Sequence, residues 1–185
     1  WKLLMLILDK TVFVGPSLYA HFPVIRLDID LGPLEQWPSG KLGPTFTDAL
    51  LAALPGLHEH TCSYGKPGGF VRRLTEGDGT WMGHVAEHIA LELQCLAGTE
   101  VRIGKTRSSG QTGRYEVIFE YREEQVGIEA GRKAVGLVNH LVAPHDPVFD
   151  FDLMAELESL ILMAERLAFG PSTQALIDEA AGRAI

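Results

Sequence analysis

Cysteine is scarce in this chain. Cys62 and Cys95 are the two thiols among 185 residues, too few for the disulfide framework of a small secreted domain, so a reducing compartment, the cytoplasm, is the expected setting. Long apolar runs are missing too. The opening run Leu3 to Leu8 holds six apolar residues, too short for a signal-peptide core or a membrane span, and reads as a buried strand. Basic charge is in deficit, with 16 Lys and Arg against 24 Asp and Glu and a net charge of −8. That deficit argues against the basic surface on which nonspecific nucleic-acid binding depends. Neither nucleic acid nor membrane is therefore an expected partner. The first residue is Trp1 rather than Met, so residues preceding it are expected in the native chain.

What is present is ordinary globular material: 46% hydrophobic and 22% charged residues, in a length that suits one domain with an extra helical piece. Ile25, Leu27, Ile29 and Leu31 alternate with Arg26, Asp28 and Asp30, which predicts a strand with one wet face. Helical spacing runs from Thr45 to Leu54 and stops at Pro55-Gly56. A loop with Cys62, Pro67, Gly68 and Gly69 leads to a short helix around Phe70–Leu74. The next helix is predicted from an N-cap at Thr80 to Ala97, with Gly98 as its stop. Val101–Ile103 and Tyr115–Tyr121 are predicted strands flanking a Gly/Ser/Thr-rich hairpin loop, Gly104–Gly113. Further helices are predicted over Ala130–Val142, over Asp152–Ala168, and from Gly170-Pro171-Ser172 to Ile185. The mixed order predicts an α+β fold, a small mixed or antiparallel sheet packed by helices with additional C-terminal helices. The division expected is a domain over 1–145 and a helical connector over 146–185.

Chemistry concentrates in the helix that follows Thr80. At about 100° per residue, Val85, Ile89, Leu93 and Leu96 share one side with Met82 and Ala86, while His84, Glu87, His88, Glu92 and Gln94 share the other. The plain reading is an amphipathic helix with a wet polar face. Against it, that face has no Lys or Arg and includes Leu91 and Cys95, so part of it is expected to be covered. Buried imidazoles and carboxylates need partners. His84 and His88 are one turn apart and can reach a single ion, with Glu87 beside them. This is the order HxxEH, the reverse of the HExxH zinc-protease motif. In that chemistry the histidines hold zinc, which brings the pKa of a bound water to about 7, and the glutamate takes the proton.

A catalytic zinc site takes a third protein ligand. Glu92 is two turns beyond His84, about 12 Å along the axis, too far to share one ion with both histidines. Glu120 and Glu116, on one face of the Tyr115–Tyr121 strand, are better placed, and Cys62 and His60 in the preceding loop are further options. Glu120 is the expected third ligand.

Gly104-Lys105-Thr106 looks like the end of a phosphate-binding loop. The glycine such a loop needs at position 99 is Thr, and no helix pattern follows, so a nucleotide site is rejected. Lys66, Arg72 and Arg73 form one small basic cluster, and Lys105, Arg107 and Arg114 another. They suit carboxylate ligands, with solvated surface charge as the competing reading.

The stretch Leu54-Pro55-Gly56-Leu57…Glu59-His60…Cys62-Ser63…Gly68-Gly69-Phe70…Arg73-Leu74…Gly79-Thr80-Trp81-Met82-Gly83-His84-Val85…Glu87-His88…Ala90-Leu91-Glu92-Leu93-Gln94 resembles the N-terminal domain of cyanophycin synthetases. So do Arg26-Leu27-Asp28, Lys105-Thr106-Arg107, Val117…Phe119-Glu120-Tyr121 and Ala130-Gly131-Arg132…Ala134-Val135, in one collinear order. The segment Glu76–Thr80 looks longer than the family's usual lead into Thr-Trp, which bears on access to the site rather than on its ligands.

The resemblance implies a piece of a larger enzyme that makes a poly-aspartate with arginine on each β-carboxyl, using ATP and magnesium in ATP-grasp and Mur-ligase-like domains not found here. Gly170-Pro171-Ser172-Thr173 resembles the lead-in to the ATP-grasp region. For this domain it implies a platform that docks the growing polymer, for which Lys66, Arg72, Arg73, Lys105 and Arg107 are the candidate contacts. In some members it implies a zinc-dependent peptidase site that cuts the polymer into primers, with His84, His88 and Glu120 as metal ligands here and Glu87 as the catalytic base. A scaffold for the neighbouring ATP-grasp domain is a third possibility, and a homo-oligomer is expected of the full-length enzyme.

Overall fold

The computed structural model describes residues 5–183. Leu3 and Leu4 of the predicted first strand, and the last two residues of the predicted final helix, lie outside that range. Four strands, β1 (Leu6–Phe13), β2 (Val24–Asp30), β3 (Gly104–Ser108) and β4 (Arg114–Glu120), form one sheet in the order β1-β2-β4-β3 with every neighbour antiparallel. The helices are α1 (Ser39–Leu42), α2 (Pro44–Ala53), α3 (Gly69–Thr75), α4 (Met82–Leu96), α5 (Glu124–Val142), α6 (Leu153–Leu167) and α7 (Pro171–Arg183). The expected α+β class with an antiparallel sheet is what the chain adopts. No described helix is long and apolar enough to cross a membrane.

The alternation in β2 sorts its side chains as predicted. Ile25, Leu27 and Ile29 are fully buried, and Val117 and Phe119 of the paired β4 bury on the same side. That face is covered by two helices side by side, α4 over β3 and β4, and α5 over β1 and β2. Helix α6 packs on α4 and α5, and its Leu160 and Ala164 join the same core. Helix α7 buries none of its described residues.

Four elements depart from the expectations. The first strand starts later, and Leu6 and Leu8 are 47% and 46% exposed, because β1 is an edge strand with one covered face rather than a buried strand. Leu96, expected on the buried side of α4, is exposed at its end. Helix α5 starts at Glu124 rather than Ala130. Its N-cap is Glu123, whose carboxylate accepts from the amides of Gln125 and Val126, a less common cap than the Ser, Thr, Asp or Asn that sequence reading looks for.

The fourth departure bears on the site. Strand pairing runs through Gly104–Ser108, which the composition marked as loop, while Val101–Ile103 lies outside the ladder. Small residues weaken strand propensity. Here they let the strand come close to α4.

Candidate functional site

Helix α4 is laid across β3 and β4 with its polar side inward. Glu87, His88, Glu92 and Gln94 are 3%, 5%, 8% and 0% exposed, so the wet-face reading gives way to the covered one. The reason is topological: the chain on both sides of α4 returns over that side. Before α4, the turn at Pro55–Glu59 packs beside it, Cys62 of the next turn reaches His84, and Phe70 of α3 stacks on His88; after it, β3 packs there. Between them lies a cleft of about 1080 Å³, with His84, Glu87 and His88 on its lining together with Cys62.

The histidines converge. Nε2 of His84 and Nε2 of His88 are 3.2 Å apart, and Cys62 Sγ is 3.4 Å from His84 Nε2. One donor atom from each of the three residues falls within 4.8 Å of the others. Zinc bonds of about 2.0–2.1 Å to nitrogen and about 2.3 Å to sulfur imply tetrahedral edges of roughly 3.3–3.6 Å, close to both short separations. The donor chemistry fits as well, since zinc takes imidazole and thiolate together. Burial, with a smaller contribution from Arg73, holds His84 down at about 4. Burial and the neighbouring imidazoles of His84 and His60 hold His88 well below its ordinary value. Both rings are therefore neutral at pH 7, with a lone pair to offer.

Cys62 reaches this point through an unusual backbone. Its φ of 48° makes it the one non-glycine with positive φ among the described residues, a conformation that costs about 1–2 kcal/mol in an L-residue. The third position expected for Glu120 is not filled by it. Glu120 Oε2 instead accepts from the amides of Arg102 and Ile103. Glu116 is paired with Arg107 at 2.5 Å. Both lie on the side of β4 opposite Tyr115 and Val117, which are the residues next to Gly83 of α4. Strand parity sends the two carboxylates away from the helix.

Glu87 does stand beside the cluster. Its Oε1 is 4.0 Å from His88 Nε2, and its Oε2 accepts a 2.6 Å hydrogen bond from the Thr106 hydroxyl. Burial pushes its carboxyl up to about 7, with the Thr106 bond opposing part of that rise. A Cβ at position 104 would sit 2.5 Å from Glu87 Oε1, so Gly104 supplies the room the carboxylate occupies. Thr80, expected as the N-cap, gives that place to Trp81, and its hydroxyl lies 2.9 Å from His84 Nδ1.

The basic candidates divide. Arg73, Lys105 and Arg107 line the cleft, with Arg73 donating to Ser63 at 2.8 Å. Arg72 is paired with Glu76 at 2.6 Å and lies over the Tyr64 ring, and neither it nor Lys66 reaches the cleft lining. Sequence reading passed over Thr80, Thr106 and Gly104 as site residues. A threonine or glycine at those places carries no chemical signature until its neighbours across the fold are known.

The family model described as "Cyanophycin synthase-like N-terminal domain" matches residues 25–143. Proteins named cyanophycin synthetase from Synechocystis sp. and Geminocystis herdmanii are each 40% identical to this chain over 183 residues, and one from Nostoc sp. is 39% identical. Each alignment covers 98% of this chain and 20% of the relative, so the chain spans about a fifth of the length of the curated relatives it matches.

Proposed function

Since this chain belongs to the cyanophycin synthase-like N-terminal domain family, we propose that its cleft holds cyanophycin, poly-aspartate bearing arginine on its β-carboxyls, and cuts it by metal-dependent hydrolysis. One observation carries the reading: the donor atoms of Cys62, His84 and His88 gather within 4.8 Å on the cleft wall, with the buried carboxyl of Glu87 next to them. A polar surface that merely docked a polymer would have no need of that convergence.

In this mechanism Cys62, His84 and His88 would hold a zinc ion, Cys62 in the place first expected of Glu120, and the ion would supply Lewis-acid activation of water at neutral pH. Glu87 is the general base. Its Oε2 is fixed by Thr106, which leaves Oε1 on the side of the metal cluster to take the proton. A carboxyl near pH 7 can accept a proton from water and return it to the leaving amine. Arg73 and Lys105 on the cleft lining suit the free carboxylates of the polymer's arginines and of its chain end, and Glu59 and Glu100, also on the lining, suit its guanidinium groups. On this reading, ATP- and magnesium-dependent elongation takes no part in the chemistry of this cleft.

Purified cyanophycin incubated with the zinc-loaded chain should shorten, and a chelator should stop it. Glu87→Gln should lower the rate by about 10²–10⁴. Intact polymer after incubation with zinc-loaded wild type, or equal cleavage by Glu87→Gln, would remove the hydrolytic reading. The docking role is a second reading, favoured by the mixed charge of the cleft, and a scaffolding role beside an ATP-grasp domain is compatible with it. Glu87→Gln should bind short β-Asp-Arg oligomers; absence of binding at millimolar concentration would end the docking role.

A further inference from the structure

Behind His88 lies a chain of polar contacts that leads away from the cluster. His88 Nδ1 is 2.8 Å from His60 Nδ1, and His60 Nε2 is 3.0 Å from Glu92 Oε2. A carboxylate can only accept, so the proton in the last contact belongs to His60 Nε2. A neutral imidazole protonated there carries its lone pair on Nδ1, and the contact with His88 then takes its proton from His88 Nδ1. The remaining nitrogen of a neutral His88 is Nε2, bare and 3.2 Å from His84 Nε2.

Two packing features make this arrangement rigid. Phe70, fully buried, stacks on His88 with ring centroids 4.0 Å apart and planes 23° apart, which prevents the imidazole from turning over. The Glu92 carboxylate occupies space that any side chain at position 56 would take, since a Cβ on Gly56 would lie 1.9 Å from Glu92 Oε1.

We infer that Glu92 and His60 are positioning residues that hold His88 in its Nδ1–H tautomer and so present its Nε2 lone pair to Cys62 and His84. The inference rests on the proposed metal site for its purpose, though not for its test. Outer partners of ligating histidines fix ring orientation and raise ligand basicity, and removing them typically lowers metal affinity by about 10–100-fold. Glu92, too far along the helix to ligate beside His84, acts on the site through His60.

The test reads the ring protons directly. Nitrogen-15 correlation spectra of the histidine rings in the full chain, with chelator present, should show His88 protonated on Nδ1 and His60 on Nε2. A His88 ring protonated on Nε2 overturns the inference. A second arm measures zinc affinity by chelator competition for wild type, His60→Ala, Glu92→Ala and Gly56→Ala. All three variants should bind zinc about 10–100-fold more weakly, and added imidazole should restore part of the loss in His60→Ala. Affinities equal to wild type in all three overturn the inference and leave the metal site standing. A wild type that takes up no zinc removes the proposed function instead, and the tautomer of His88 still decides the relay. The labelled wild-type spectrum also decides it should a variant fail to fold.

Discussion

Cys62 shows how much a single side chain can depend on its backbone. Cys62 is one of several third-ligand options in the sequence, and it stands 3.4 Å from His84 Nε2 on a backbone with a left-handed φ of 48°. If it is a ligand, Cys62→Ser should weaken zinc binding at least about tenfold and abolish the thiolate-to-metal absorption band of the cobalt(II)-substituted protein. A band that survives the substitution would place the metal elsewhere. Thr106 is a residue whose worth is invisible in sequence. Its hydroxyl is a 2.6 Å donor to a buried carboxylate, and hydrogen bonds to charged groups contribute about 1.5–3 kcal/mol. Thr106→Val should lower the unfolding free energy by that order, read from the urea midpoint.

At the scale of elements, the residues of β3 read as loop because of the glycines at 104, 110 and 113, although Thr106 favours a strand. The strand forms because β4 offers it a ladder and α4 covers it, and tertiary pairing outweighs local preference. Its weak composition serves the site. Gly104→Ala has no backbone conflict, yet its Cβ would fall 2.5–2.8 Å from three atoms of Glu87. The variant should keep its circular dichroism spectrum while losing most hydrolytic activity, and unchanged activity would mean the carboxylate is not where it matters. The loop before α4 is secured by Ser39, fully buried, whose hydroxyl donates to Leu74 O and accepts from Thr80 N, both at 2.8 Å. Ser39→Ala should cost about 1–3 kcal/mol through the unsatisfied partners, measured by denaturant titration with an unchanged slope.

For the molecule as a whole, the start of the described chain is held to α5 by one side-chain amide. Asn139 of α5 accepts from the Met5 amide at 2.8 Å and donates to the Met5 carbonyl at 3.0 Å. These bonds tie the start of β1 to the helix that covers it, across 134 residues of sequence. Asn139→Ala should cost about 1–3 kcal/mol and speed hydrogen exchange in β1 more than in β2 or β4. Equal exchange in the three strands would show that the edge is held by other contacts.

The reach of sequence alone follows from the same separation between local and distant order. The helical period is local, so it placed His84, Glu87 and His88 on one side of α4, and the alternation of Ile25, Leu27 and Ile29 likewise marked the covered face of β2. The missing Lys and Arg on the polar side of α4 also correctly foretold cover. Which third group closes on the histidines depends on strand parity and on a loop's handedness, and both are settled by packing between residues far apart in the chain. Packing turned Glu120 toward the amides of Arg102 and Ile103 and brought Cys62 beside His84, and it assembled the line from His88 through His60 to Glu92. A pattern within one element can fix which way a side chain points from that element; only the fold fixes what it meets.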